Sequence, residues 1–390
     1  MTGLIPGTTY SNQIVAGNSL GTNFGSWLNF TCGHIVVVTD VSDAAISPGS
    51  LRVIVNQAGA GDTITFTNTL SGATIIVSLG SITLAKNLII DASALPGGIT
   101  LNGANGKIIT INSGVSVVLN ALTITNGGNF VGSAIENLGG TLTLNQCALT
   151  GNGVIYHVSG SAINNSGILT LNQCTLTGNG SGDSVGITSG GPVTLNQCTV
   201  SGNMGGIRMY NSQLTVFNSI VAGNQFFNII FQGGGTLNKT GVNLIDVAPQ
   251  LAPLGNYGGP TQTRPPLPGS PAIDACTNGI DPSLTTDQRG FPRIVGLYAD
   301  IGAVEGVYNP AGPGILTGMN RAANGPASFT FTNSTDMSFT VLATTNVAWP
   351  LNLWSNLGSV VESPAGSGHY QFTDSSGTNS PQRFYRVSSP

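Results

Sequence analysis

The sequence predicts an all-β protein, a right-handed parallel β-helix followed by a small antiparallel β-sandwich, and three observations predict it. An eleven-residue motif recurs through the middle of the chain. It reads LTLNQCALTGN at 142–152, LTLNQCTLTGN at 169–179 and VTLNQCTVSGN at 193–203, with looser copies at 214–224 (LTVFNSIVAGN) and 117–127 (VVLNALTITNG). A second series, GSAIEN, GSAINN, VGITS and GGIRM, runs beside it, centred on Ile135, Ile163, Ile187 and Ile207. Each repeat therefore holds at least two short strands of alternating apolar and polar residues, separated by Gly- and Asn-rich turns, and no helical segment.

One repeat of this kind cannot bury its apolar face alone. Stacking each strand on its equivalent in the next coil completes the backbone ladder and builds a continuous core. The steps from Cys147 to Cys174, Cys198 and Ser219 are 27, 24 and 21 residues, a suitable length for one coil. The L-x-x-L-x-L pattern of leucine-rich repeats is absent, and ankyrin and tetratricopeptide repeats need helices. Stacked equivalents lie about 4.8 Å apart, so Cys147, Cys174 and Cys198 are expected to form an interior ladder. Their parallel side-chain directions disfavour a disulfide dihedral, so they are expected to be reduced, small hydrophobes. Gly-Asn pairs at 151–152, 178–179, 202–203 and 223–224 mark a recurrent turn, and asparagines at one position of successive coils can hydrogen-bond along the stack.

The helix is expected to occupy residues 35–248. Less regular strands are expected at 35–39, 63–67, 75–77, 88–91 and 108–111. Ser50 followed by apolar residues at 51, 54, 55 and 58 predicts a short amphipathic helix near 50–58, closing the open end of the stack. Residues 1–34 form an N-terminal extension without an assigned fold. The Pro-rich stretch 249–308 is expected to wrap the last coil. After the NPAGPG linker signal at 309–314, alternating segments such as ASFTFTN and HYQFTD predict the β-sandwich of 309–390.

Composition narrows the function. Of 390 residues 40% are hydrophobic but only 7% charged, against roughly 25% in a typical soluble protein, so uncharged polar groups must solvate the surface. With 11 basic and 15 acidic residues and no basic block, nucleic acid is not an expected partner. Five cysteines leave at least one thiol unpaired within the chain, and no C-x-x-C spacing suggests zinc or redox chemistry. Residues 1–25 lack the basic start and apolar core of a signal peptide, and no apolar run reaches a membrane-spanning length.

GDTITF at 61–66, PGSLR at 48–52, the repeats, NYGGPTQTRPPLPGSPAIDA at 256–275, TDQRGFPRIVG at 286–296 and ADIGAVE at 299–305 together resemble the choice-of-anchor Q domain proteins. The resemblance covers roughly residues 35–306. It implies a secreted bacterial β-helix of the polymorphic-outer-membrane-repeat type, residence outside the cell or on its surface, and no established catalysis. The end of the chain is similar to a terminal module of large secreted proteins of Verrucomicrobia and Planctomycetes, without a recognisable sorting motif.

Parallel β-helices include pectin lyases and polygalacturonases, so polysaccharide cleavage has to be weighed. Glycoside hydrolysis needs two carboxylates about 5–9.5 Å apart. Between 115 and 240 the acids are Glu136 and Asp183. In the coil register Glu136 aligns with Asn164, Thr188 and Arg208, which puts Arg208 three coils away, roughly 14 Å. Glu136, Asp183 and Arg208 are thus candidates for binding rather than for a catalytic pair. Tyr156 and His157 are further candidates in a turn, although a lone His reads more plainly as a solvent-facing residue. Phe226 and Phe227 are candidates for sugar stacking, core filling being the plainer reading. Charges gather at Arg264, Asp274, Asp281, Asp287, Arg289, Arg293, Asp300 and Glu305. Of these, Arg264, Asp274, Asp287, Arg289, Arg293 and Asp300 are expected to pin a structural cap, with calcium the first ligand to test there and no other cofactor expected. The expected function is a non-catalytic scaffold at the cell surface, presenting a weakly charged face to glycans or surface proteins. Self-assembly into a filament or surface layer is one alternative; a lyase or hydrolase of the pectin-lyase class is another.

Overall fold

The computed structural model describes residues 9–13, 15–18, 21–26, 28–31, 33–128, 134–153, 161–182, 184–306, 316–321, 325–333, 339–347, 354–364, 367–375 and 382–388. Alternation of Leu, Ile and Val with Thr and Asn gives each short strand one apolar and one polar face, and the chain closes these strands into coils. In the clearest coil the strands are Thr141–Asn145, Ala148–Thr150 and Ser161–Asn165, one in each of three sheets. The first sheet has nine strands, the second eight and the third seven, and strands of successive coils pair in parallel. Register is kept column by column: Leu142, Leu169, Val193, Leu214 and Leu237 stack inward, while Thr143, Thr170, Thr194 and Thr215 stack outward. The inward columns merge into one core from Val38 to Val221, most of it wholly buried.

Three side-chain ladders hold the coils in register. Cys147 N–H donates to Cys174 Sγ at 3.4 Å, Cys174 N–H to Cys198 Sγ at 3.5 Å, and Cys198 N–H to Ser219 Oγ at 2.9 Å. Each thiol in turn faces a carbonyl of the preceding coil, Leu119, Leu144 or Leu171, and the cysteines are unbridged. At the turn into the third sheet, Asn152, Asn179, Asn203 and Asn224 form an interior amide ladder. Asn179 Nδ2 donates to Leu149 O at 2.8 Å and to Asn203 Oδ1 at 2.8 Å, and its Oδ1 accepts from Asn152 N at 3.1 Å. On the outside of the first sheet Asn120, Asn145, Asn172 and Asn196 are linked side chain to side chain. Between the first and second sheets the corner residue is left-handed in five successive coils: Ala121, Gln146, Gln173, Gln197 and Asn218 have φ between 45° and 54°.

The two ends of the stack differ. A helix at Leu51–Gln57 closes the first, its N-terminus capped by Ser50 and its Leu51 and Val55 buried in the core. Arg52 pairs with Asp43 at 2.8 Å, and Asp43 also accepts from the Ser78 and Leu79 amides, fastening the helix to the coil beneath. At the other end Ile229, Phe231 and Leu237 are only partly buried, and Lys239 occupies the inward column beneath Val216 with its side chain exposed.

Residues 1–34, for which the sequence suggests no fold, contain two antiparallel pairs, Thr9–Asn12 with Leu28–Thr31 and Val15–Asn18 with Gly21–Phe24. The stretch after the helix departs from expectation in position. It does not stay on the last coil. It runs back along the outside of the second sheet: Gly302 N–H bonds Asn218 O at 2.9 Å, Ala303 N–H bonds Thr199 Oγ1 at 3.1 Å, Gln146 Nε2 bonds Asp287 O at 2.7 Å, and Pro260 lies over Gly98. The left-handed corners explain the path, because they aim the long Gln side chains outward at the wrap. Near the C-terminus two antiparallel sheets, of four and three strands, enclose a separate aromatic core of Phe329, Phe331, Phe339 and Tyr370. Phe331 and Tyr370 stack there at 5.1 Å.

Candidate functional site

The outward column of the third sheet runs Thr83, Thr110, Glu136, Asn164, Thr188, Arg208 and Ile230. In the earlier coils one residue per strand points outward, because the strands are short and their flanking positions turn into the core, whereas Tyr210 and Gln232 add a second exposed position in the last two. Glu136 is the acid in this column, and the Lys107 ammonium neutralises it. Sequence reasoning missed that partner; the available signal was a basic residue in the turn leading into the preceding third-sheet strand. Ser161 Oγ and Thr188 Oγ1 share a hydrogen bond of 2.7 Å, and Thr110 Oγ1 bonds Ser81 Oγ at 3.0 Å. Arg208 lies over the Phe227 ring, 5.6 Å from its centroid, and its buried Nε has no hydrogen-bond partner among the described residues.

Three coils separate Glu136 from Arg208, about 14 Å at the strand spacing, so the two do not meet. Phe226 is 66% exposed, which corrects the core-filling reading: the coil does not widen to take it, and the ring stands in solvent. Phe227 is half-buried beside Arg208, and Tyr210 is exposed on the same strand as Arg208. Tyr156, His157 and Asp183 lie outside the described residues.

The charged cluster of the wrap is a second assembly. Asp287, fully buried, accepts from the amides of Arg289, Phe291 and Glu305 and from Arg289 Nε at 2.8 Å. The Arg289 guanidinium lies over Phe291 at 4.8 Å. Asp300 accepts from Asp274 N and Gly306 N, while Asp274 accepts from Tyr298 N. Arg293, 1% exposed, donates to the Asp300 and Gly302 carbonyls and has Glu305 at 3.8 Å. Arg264 reaches Ala252 O, Thr177 and Ser201. Burial raises the Asp300 carboxyl above its ordinary range and pushes Glu305 up to about 7, against the pull of its backbone N–H donors and Arg293. Glu305 thus belongs with the six residues expected from sequence to pin the cap, whereas Asp281 caps a surface turn through Ser283.

These carboxylates point at backbone amides and guanidinium groups. Calcium needs six to eight converging oxygens, and among the described residues no group of three or more His, Cys, Asp or Glu side chains is placed to hold a metal. Among the described residues no helix is long and apolar enough to cross a membrane.

The parallel registers define the class: a β-helix protein, carrying small antiparallel sheets near its C-terminus. No family model and no curated protein matches the sequence. Among solved structures, pectate lyase Pel9A is similar at 13% identity, over 70% of this chain and 97% of its own, with a TM-score of 0.31.

Proposed function

We propose that the protein is a secreted β-helix of the choice-of-anchor Q type that binds glycans at the cell surface without cleaving them. The third-sheet face carries this reading. Its column of hydroxyl and amide side chains is nearly neutral, its acid is paired with Lys107, and Arg208, Phe227 and Tyr210 add a cationic and aromatic end. Hydroxyls and amides both donate and accept, as sugar hydroxyls do, and an aromatic face packs against the apolar side of a sugar ring. Glu136 is the acid of this column and its carboxylate is paired with Lys107, so the face does not present the pair of free carboxylates that the hydrolase alternative needs. The motifs behind the family resemblance are the residues that fasten the wrap, so a structural reason for their presence is at hand.

End-to-end filament growth is disfavoured by both ends of the stack. The capping helix covers one, and Lys239 places an ammonium in the inward column of the other, a device that blunts exposed strand edges. The test is a glycan array with the full chain and the Arg208→Ala variant, beside depolymerisation assays on pectate and neutral polysaccharides. Binding that falls with Arg208→Ala and no depolymerisation is expected. Catalytic shortening of any polymer, or no glycan bound, would overturn the proposal.

A further inference from the structure

The wrap does not cover the second sheet evenly. Over the later coils it uses the outward threonines: Thr175 Oγ1 donates to Gln288 Oε1 at 2.6 Å, Thr199 Oγ1 accepts from Ala303 N at 3.1 Å, and Arg264 reaches Thr177 Oγ1 at 3.5 Å. Over the earlier coils the wrap arches away. A cleft of about 270 Å³ opens there, with Thr100, Thr123, Thr125 and Thr150 on the sheet side and Asn256 and Gln262 on the loop side. These are the same two columns of the same sheet, since Thr100 and Thr123 stack in one and Thr125, Thr150 and Thr177 in the other.

Two features make this a built site rather than a packing gap. Thr123 is 9% exposed, yet it lines the cleft and its hydroxyl bonds nothing among the described residues, nor do those of Thr100, Thr125 and Thr150. The roof is fixed. Gly98, at φ +63°, packs so closely under Pro260 that a Cβ there would lie 1.9 Å from the Pro260 carbonyl oxygen, and Thr261 Oγ1 bonds Gln146 O at 3.0 Å. Thr123 is buried and Thr100, Thr125 and Thr150 are half-buried, so the rigid roof faces a row of accessible hydroxyls that can exchange hydrogen bonds of both senses with a ligand.

We infer that the cleft between the second sheet and the 256–262 loop binds one neutral sugar ring, the uncharged terminal unit of a glycan. The inference rests on the glycan-binding reading but names a different face from the Arg208 column. The lining side chains are all uncharged; a uronate or a phosphate would enter with its charge unpaired, which costs heavily on desolvation. The volume lies below the roughly 300–1,000 Å³ of pockets for drug-sized ligands, which suits one ring, with the open side of the cleft left for the rest of the glycan.

Thr123→Val removes the most enclosed hydroxyl while preserving shape and strand preference. The full chain, Thr123→Val and Arg208→Ala are to be titrated calorimetrically with neutral hexoses and pentoses and with galacturonate, and their melting temperatures compared. One neutral sugar is expected to bind the wild type. Affinity should fall about tenfold or more in Thr123→Val, as when a site loses a group built to bond a substrate hydroxyl, at unchanged melting temperature. Galacturonate should not bind. Binding lost in Arg208→Ala but intact in Thr123→Val would overturn the cleft and leave the third-sheet reading standing. Galacturonate binding that Thr123→Val abolishes would overturn the neutral-ligand assignment. No response of the wild type to any of the sugars would overturn the cleft, and the array of complete glycans decides separately on the wider reading.

Discussion

Replacing Asn179 by Ala tests whether the interior amide ladder, rather than apolar stacking alone, holds the coils together. Asn179 is wholly buried, and its side chain makes four hydrogen bonds, two to Asn152 and one each to Leu149 O and Asn203 Oδ1. Two of the partners have substitutes: Asn152 Nδ2 keeps Ile124 O, and Asn203 Oδ1 keeps the Asn179 amide. The Asn152 N–H and the second lone pair of Leu149 O lose their partner inside the buried core. Each buried polar group left unpaired costs about 1–3 kcal/mol, so the substitution should destabilise by about 2–6 kcal/mol. Asn196 provides the control. It bonds Asn172 at 2.7 Å on the half-exposed outer face, where water replaces the lost partner and the cost should stay below about 1 kcal/mol. Urea unfolding followed by far-ultraviolet circular dichroism compares the midpoints of Asn179→Ala, Asn196→Ala and the wild type. Equal midpoints for the two variants would refute the reasoning, because they would mean that the interior amides add nothing beyond the outer ones.

Two further predictions concern titration and thiols. Burial raises Glu305 in the folded chain to about 7, above its ordinary value, so between those two pH values the native state binds more protons than the unfolded one. Its contribution to stability is therefore complete below the ordinary carboxyl range and lost as pH rises through about 7. Melting temperatures measured from pH 4 to 8, on a scale of about 4 units, should fall more steeply in the wild type than in Glu305→Gln; parallel curves would contradict the assignment. Cys147, Cys174, Cys198 and Cys276 are buried, and burial drives the Cys174 thiol far up and Cys276 to about 12. A thiol reagent followed by peptide mass mapping should leave these four unlabelled in the native protein and label all four after denaturation; native labelling of Cys174 would break the ladder as described.

The repeating part of the fold was legible because each coil repeats the same physical demand. Inward Leu and Val at fixed offsets and the Gly-Asn turn at the end of each motif leave a period that one sequence can display by itself. The capping helix was legible for a similar local reason, Ser50 followed by helically spaced apolar residues. The path of the wrap was not, since it is set by contacts between residues more than a hundred positions apart, such as Gln146 with Asp287 and Thr175 with Gln288. Ile82–Leu84 and Ile99–Asn102 lack the motif, and three or four alternating residues carry less signal than the repeated units do. On the third sheet, the alignment of Glu136 with Asn164, Thr188 and Arg208 followed from register alone. The threonine cleft could not be read, because Thr123 and Thr175 look alike in sequence and differ only in what the distant wrap does above them.

Near-identical tandem segments such as LTLNQCALTGN and LTLNQCTLTGN invite unequal recombination, and a bare solenoid would tolerate the gain or loss of a unit. Here the wrap touches corners and threonines at points from Gly98 to Asn218. An inserted coil would shift every later partner by about 4.8 Å against a strap of fixed length. The strap thereby acts as a gauge on copy number: a chain with one coil more between those two corners would hold it out of register with its partners.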